Sequence, residues 1–364
     1  MVFGAPYRDF TWCGAQIMEN LNPKDIINHL GKKSKTNSTN SPVLIKNCFR
    51  ISKSSHCVSH IMFTFSTKYT RRILQCPRAL EYGKIWIGAF LNEKEGPRIQ
   101  EATMDYTQTN KQAWEEAFEH RKPGWGDDNA LMLKTLRLPF LDANFIRELE
   151  KSDWTGKAVA QFCCNNGREL LSLMQLGAAR GVGFDIAENL LGQARKTAEA
   201  AGIPCEFVCT DILQIGPEYE NTFDMVFFTI GAITWLQDLN ALFSIVARCL
   251  KPGGVMYLHD FHPVVNMLPM PGEEAFDGQP KLAHAYFKAE PWIENSGMGY
   301  MTTEYQSKTF TSFSHTVGSI LNALIGSGFT IRRFDEFDYD VGMTDAYDGK
   351  GFPLSILLRA DKTA

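Results

Sequence analysis

Three carboxylates and two histidines stand just past short apolar runs. Asp185 closes Gly183-Phe184-Asp185-Ile186, and Asp211 closes Cys209-Thr210-Asp211-Ile212. Asp260 and His262 end Leu258-His259-Asp260-Phe261-His262, and His315 sits in Ser312-Phe313-Ser314-His315-Thr316. Upstream lies Gln161-Phe162-Cys163-Cys164-Asn165-Asn166-Gly167-Arg168-Glu169, a small-residue turn opening a helix. Such a turn lets backbone approach a ligand, and the helix start offers free N–H groups to a carboxylate. Gly167 is permissive, and Asn165 or Asn166 tolerates left-handed geometry. A carboxylate about twenty residues past a glycine turn can accept both hydroxyls of a ribose. The competing role for Asp185 is a helix N-cap. Asp211 can accept from an adenine amine with Ile212 packed on the ring, or serve as a plain loop residue. The near-neutral reference pKa of histidine suits His262 and His315 to acid–base work, and the bland alternative is a hydrogen-bonded structural histidine. Asp260 is the third candidate at that edge, against a solvated strand end.

What is missing narrows the ligand. A dinucleotide needs Gly-x-Gly-x-x-Gly to seat its pyrophosphate, and this turn holds only Gly167. Neither a Walker Gly-Lys-Ser/Thr sequence nor a nucleophile elbow is present. The reading is a nucleoside ligand without phosphate.

The elements that position these residues alternate. Short apolar strands are expected at 158–162, 181–184, 206–209, 223–229 and 255–259, with helices at 168–176, 187–201 and 236–250. Gly177, Gly202 and Pro252-Gly253-Gly254 stop those helices. In the second helix Leu190, Ala194, Ala198 and Ala201 form a stripe that can dock on a sheet. Strand, helix, strand, helix marks a doubly wound α/β fold with right-handed crossovers. Two helices precede it, over 107–120 and 142–151. An aromatic-rich insertion over 264–310 reads as a cover, and the helix bearing Tyr106, Asn110 and Trp114 either closes from the other side or packs as ordinary core.

The 364 residues carry a net charge of -4 that conceals a split. Residues 1–100 hold 15 Lys+Arg against 6 Asp+Glu, a net +9, and the remainder is -13. That split marks a boundary. Residues 1–103 read as a basic extension, either an accessory arm or a poorly ordered stretch upstream of Met104. The helical cap is expected over 104–156 and the main domain over 157–364. The acidic part offers no electrostatic reason for a nucleic-acid partner. No apolar run reaches the ~18 residues of a membrane span, and no secretory signal is visible, so a cytoplasmic location is expected. Nine cysteines without a CxxC pair argue for free thiols and against a metal site.

The order of these segments resembles the class I S-adenosylmethionine-dependent methyltransferases that act on small molecules. Gly183-Phe184-Asp185-Ile186-Ala187 with Ala194-Arg195 is similar to that family's second strand and helix. Phe207-Val208-Cys209-Thr210-Asp211 looks like its third strand, and Phe223-Asp224-Met225-Val226 like its fourth. Ala247-Arg248-Cys249-Leu250-Lys251-Pro252-Gly253-Gly254 looks like its helix-to-strand signature. The resemblance implies a mostly parallel sheet of seven strands with the last antiparallel, closed by 329–337 and 355–359 after a helix over 316–327. It implies S-adenosylmethionine as cofactor. The turn Gln161, Phe162, Cys163, Asn165 and Gly167 would hold the methionine part, Asp185 and Ile186 the ribose region, and Asp211 and Ile212 the adenine. Ile230 and Gly231 would line the methyl channel. The chain departs from the family's Asp-x-Gly-x-Gly-x-Gly, because Gln161, Cys163 and Asn165 replace the acid and the first two glycines. The expected activity is methyl transfer to a small molecule. A non-catalytic S-adenosylmethionine or nucleoside binder, and a nucleic-acid methyltransferase using the basic arm, stay open as alternatives. The sequence carries no information on the oligomeric state.

Overall fold

Strands covered on both faces are apolar along their length rather than alternating, and Ala158-Val159-Ala160-Gln161-Phe162 and Phe223-Asp224-Met225-Val226-Phe227-Phe228 are of that kind. The computed structural model describes residues 106–363, so the extension expected over 1–103 lies outside the described residues. In chain order the elements are α1 (Tyr106–Glu119), α2 (Asn129–Thr135), α3 (Ala143–Leu149), β1 (Ala158–Phe162), α4 (Arg168–Met174), β2 (Arg180–Asp185), α5 (Glu188–Ala201) and β3 (Glu206–Cys209). They continue as β4 (Phe223–Phe228), α6 (Leu239–Cys249), β5 (Leu250–Phe261), β6 (Trp292–Glu294), β7 (Phe310–Ser312), α7 (Val317–Gly326), β8 (Phe329–Phe337) and β9 (Ser355–Lys362).

Seven strands form one sheet in the order β3-β2-β1-β4-β5-β9-β8. β1 to β5 are parallel, and β9 is antiparallel to both its neighbours. This is the mostly parallel seven-stranded α/β sheet expected from the sequence. The chain leaves β1 toward β2 and β3, then returns to place β4 on the other side of β1. That reversal opens a crevice at the carboxyl ends of β1 and β4, the usual ligand position in such a sheet.

Each face of the sheet has its own core. Phe162, Phe184, Val226, Phe228 and Leu258 are buried with Leu242, Phe243 and Val246 of α6 and Ile320 and Leu324 of α7. Val159, Met225, Phe227 and Tyr257 are buried with Phe145 and Leu149 of α3, Leu170 and Leu173 of α4, and Leu191 and Ala194 of α5. Phe228 lies edge-on to Phe162, with ring centroids 5.6 Å apart, and to Phe243 at 6.5 Å. α3, expected as part of a cap, thus serves as a sheet-covering helix.

Three local features differ from the sequence reading. α6 begins at Leu239 and not near 236, because Asp238 caps it by accepting from Asn240 N at 2.8 Å and Ala241 N at 3.1 Å. α2 was not anticipated. α1, for which closure from the opposite side and ordinary core packing were both open, forms one layer with the insertion instead of closing opposite to it. The Asn110 side chain donates to Thr311 O at 2.8 Å and accepts from Thr311 N at 2.7 Å. Lys122 N donates to Met301 O at 2.8 Å, and the His120 ring stacks on Tyr305 with centroids 4.1 Å apart. Ala113, Ala117, Met298, Met301 and Phe310 then bury together against Ala187 and Leu190. Among the described residues, no helix is long and apolar enough to cross a membrane.

Phe228→Ala should lower stability by about 3–5 kcal/mol, since it deletes a fully buried ring. Urea unfolding reads this, and a loss below about 1 kcal/mol would contradict the packing described.

Candidate active site

The turn between β1 and α4 runs through left-handed backbone three times. Cys163 has φ 54°, Asn165 φ 51° and Gly167 φ 71°. An L side chain in that region costs roughly 1–2 kcal/mol, less for Asn, whose short polar group bonds locally. Asn165 Oδ1 does accept from Asn166 N at 2.8 Å. Gly167 has a second reason to be glycine, because a Cβ there would lie 2.5 Å from the Phe207 ring. Asp185 holds the turn from the next strand, its Oδ2 accepting from Asn165 N at 2.7 Å. Its Oδ1 accepts from Ala187 N at 3.0 Å. Burial raises the Asp185 pKa, opposed by the N–H groups of Ala187, Asn165 and Ile186. Each oxygen makes one backbone bond here and has further acceptor capacity.

Gln161 and Phe162 face the interior. The Gln161 amide donates to Thr229 Oγ1 at 2.8 Å and accepts from Leu170 N at 3.1 Å. It therefore joins the ends of β1 and β4 and the start of α4. Phe162 is part of the sheet core. Asp211 caps a single helical turn, Ile212–Gln214, by accepting from Leu213 N at 2.9 Å. Ile212 is buried in the sheet core and Ile186 is half-buried. Burial pushes the Cys163 thiol well up, and Asp185, Asp211 and Asp260 push the same way. The thiol thus feels carboxylates from three strand ends, a setting that favours a cationic ligand and disfavours a thiolate.

Past β4, Ile230 is partly exposed and Gly231 has φ 79°. Asp260 is almost fully buried. Its Oδ1 accepts from Gly231 N at 2.5 Å and Phe261 N at 2.8 Å, and its Oδ2 lies 3.5 Å from Ile233 N. Burial raises its pKa to about 6. His315 Nε2 lies 2.9 Å from Leu236 O and 3.2 Å from Ile233 O, so that nitrogen carries the proton. His262 Nδ1 accepts from Val264 N at 3.0 Å, and its Nε2 is 2.9 Å from Glu336 Oε1. Burial lowers the His262 pKa against the pull of Glu336. Asp260 and His315 therefore meet on one turn, while His262 faces β8.

The sequence did not reveal three further participants. The Tyr300 hydroxyl accepts from Asn165 Nδ2 at 3.0 Å and ties the insertion to the turn. Gly342 approaches Ile230 so closely that a Cβ would lie 3.0 Å from its Cγ2. Glu336 partners His262. Tyr300 was visible only as one of many aromatics in the insertion, because its type does not announce which strand end it reaches. Among the described residues no cluster of three His, Cys, Asp or Glu could hold a metal ion. A groove of about 530 Å³ opens beside α5 and is lined in part by Arg121, Asn189 and Lys196.

Residues 159–254 match the family model described as a methyltransferase domain. "Probable methyltransferase ltbC" of Aspergillus luteorubrus is 24% identical over 227 residues, covering 58% of this chain and 76% of that protein. "Uncharacterized methyltransferase sll0829" of Synechocystis sp. is 32% identical over 124 residues, covering 34% of this chain and 56% of that protein. An S-adenosylmethionine dependent methyltransferase from Mesorhizobium loti aligns in structure with a TM-score of 0.46 at 22% identity, over 59% of this chain and 96% of that one.

Cys163→Gly should leave stability within about 1 kcal/mol, since relief of the left-handed strain offsets the freer unfolded chain. Cys163→Val should destabilise, because a branched Cβ tolerates that geometry poorly. Equal thermal midpoints for the two variants would refute the turn described. Asp260 should leave a signature in pH. Its pKa is raised from 3.8 to about 6 in the folded chain, so the folded state holds this proton more tightly than the unfolded one. Its contribution to stability is fullest below 3.8 and declines as the pH rises to about 6. Asp260→Asn should flatten that part of the stability–pH curve.

Proposed function

We propose that the chain is a class I S-adenosylmethionine-dependent methyltransferase that transfers the methyl group by direct displacement to a small-molecule acceptor in the crevice between β1 and β4. The observation that carries this assignment of the site is the β1–α4 turn. It follows a glycine-type path at Cys163, Asn165 and Gly167 although only one of the three is glycine. Backbone can therefore approach a ligand there. Asp185 would take the ribose hydroxyls, Asp211 with Ile186 and Ile212 the adenine side, and the 161–167 turn the methionine part. Ile230 and Gly231 would border the transferring methyl.

The cofactor supplies a methyl group on a cationic sulfonium, and the carboxylates around Cys163 suit that charge. Aligning the acceptor with the methyl can account for several kcal/mol of the barrier. A hydroxyl or ammonium acceptor must also lose a proton. Asp260, His262 and His315, the titratable groups considered for that step, are already bonded to backbone or placed against Glu336. The proposal therefore rests on alignment rather than on a dedicated base. The -13 balance beyond residue 100 supports a small acceptor over a nucleic-acid backbone. So does the layer made by α1 and the insertion, which Tyr300 fastens to the turn.

Titration calorimetry of the full chain with S-adenosylmethionine and its demethylated product tests the site. Binding in the micromolar range is expected, and Asp185→Ala should weaken it at least about 100-fold, the worth of two charge-assisted hydrogen bonds. Undiminished binding by a folded Asp185→Ala chain would move the cofactor elsewhere. Methyl transfer to a panel of small phenols, amines, thiols and carboxylic acids would then identify the acceptor.

A further inference from the structure

The turn after β4, residues 230–236, has no strand partner, yet side chains from two elements hold its polar backbone. From β5, Asp260 collects the N–H groups of Gly231 and Ile233. From the segment joining β7 to α7, His315 places its Nε2 proton between the carbonyls of Ile233 and Leu236. The cap reinforces the second grip. Thr234 Oγ1 donates to Phe313 O at 3.1 Å, and Phe313 N donates to Thr234 O at 2.8 Å. The Trp235 ring packs edge-on to Trp114 of α1 at 5.3 Å and to Phe310 of β7 at 6.0 Å.

We propose that Asp260 and His315 are positioning residues that fix the 230–236 turn to the sheet and to the cap respectively, with His315 acting as a hydrogen-bond donor through Nε2. This rests on the methyltransferase reading, in which Ile230 and Gly231 border the methyl. The Nε2 nitrogen, whose proton bridges two carbonyls, has no lone pair to offer a substrate. What His315 contributes is a donor, which a glutamine amide also has. The site gains a turn placed before substrate arrives. Placement matters because a shift of ~1 Å at a reacting centre can cost roughly 100-fold in rate. The arrangement also ties the methyl channel to the cap, so the two move together.

The test uses the full chain and four variants, His315→Gln, His315→Ala, Asp260→Asn and Asp260→Ala. Amide hydrogen exchange of the peptide covering 230–236 is read beside calorimetric affinity for S-adenosylmethionine. His315→Ala should raise exchange in that peptide about fivefold or more and weaken binding severalfold, the scale of a lost hydrogen bond. His315→Gln should stay within about twofold of the native chain in both readouts. Asp260→Ala should raise exchange at 231 and 233 most. Should that chain fail to fold, Asp260→Asn, which keeps one acceptor oxygen, should show the same pattern more weakly. Equal damage from His315→Gln and His315→Ala would overturn the donor role. Unchanged exchange at 230–236 in His315→Ala and in Asp260→Asn would overturn the positioning role. If the native chain does not bind S-adenosylmethionine, the cofactor reading fails, while the exchange arm still decides whether these side chains hold the turn.

Discussion

The carboxylate of Asp185 reaches from the end of β2 across to the end of β1 and takes the amide of Asn165. The site depends on that contact. Two non-glycine residues in left-handed backbone are unfavourable by themselves, and a buried carboxylate bond to the turn between them is the kind of surrounding force that keeps such strain in place. Thr210 N also donates to Asp185 O at 2.8 Å, so β3 is drawn to the same point and Asp211 follows it. Removing the carboxylate would free the β1–α4 turn from the end of β2, while the Thr210 bond to the Asp185 main-chain carbonyl would stay.

Electrostatics follow from this geometry. Parallel strands bring their carboxyl-end residues to one edge, and here that edge is acidic. Burial raises both Asp185 and Asp260, while backbone N–H groups hold each of them down. A positively charged ligand can gain from such a site. Burial, with Asp185 beside it, pushes the neighbouring thiols of Cys163 and Cys164 well up and keeps them protonated. They act as small fillers of a tight turn rather than as nucleophiles.

The cap is joined to the sheet at two places, where Tyr300 reaches Asn165 and where His315 with Phe313 reaches the turn after β4, and the Asn110 pair fastens α1 to β7 within the cap. Each joint crosses a long stretch of chain, and each satisfies backbone or amide groups that lie outside regular ladders. Such bonds are unforgiving when broken, since a buried polar group left alone loses water without recompense. The cap therefore helps to define the walls of the crevice and is more than a cover.

Periodicity and punctuation in the sequence determined the sheet, its helices and the strand ends where Asp185, Asp211 and Asp260 stand. Apolar runs of strand length separated by helical stripes admit few other arrangements, and Gly177 and Gly202 mark where helices stop. The replacement of two expected glycines by Cys163 and Asn165 was equally plain, but its consequence was not. Whether a turn keeps a left-handed path depends on what holds it, and Asp185 does so from twenty residues away. The partners of His262, His315 and Gln161 were likewise hidden, because each bond joins residues far apart in the chain. Local spacing sets which residues share a face or a strand end. Only the packed fold decides which distant side chain satisfies them, since those bonds exist only after the sheet has brought its ends together.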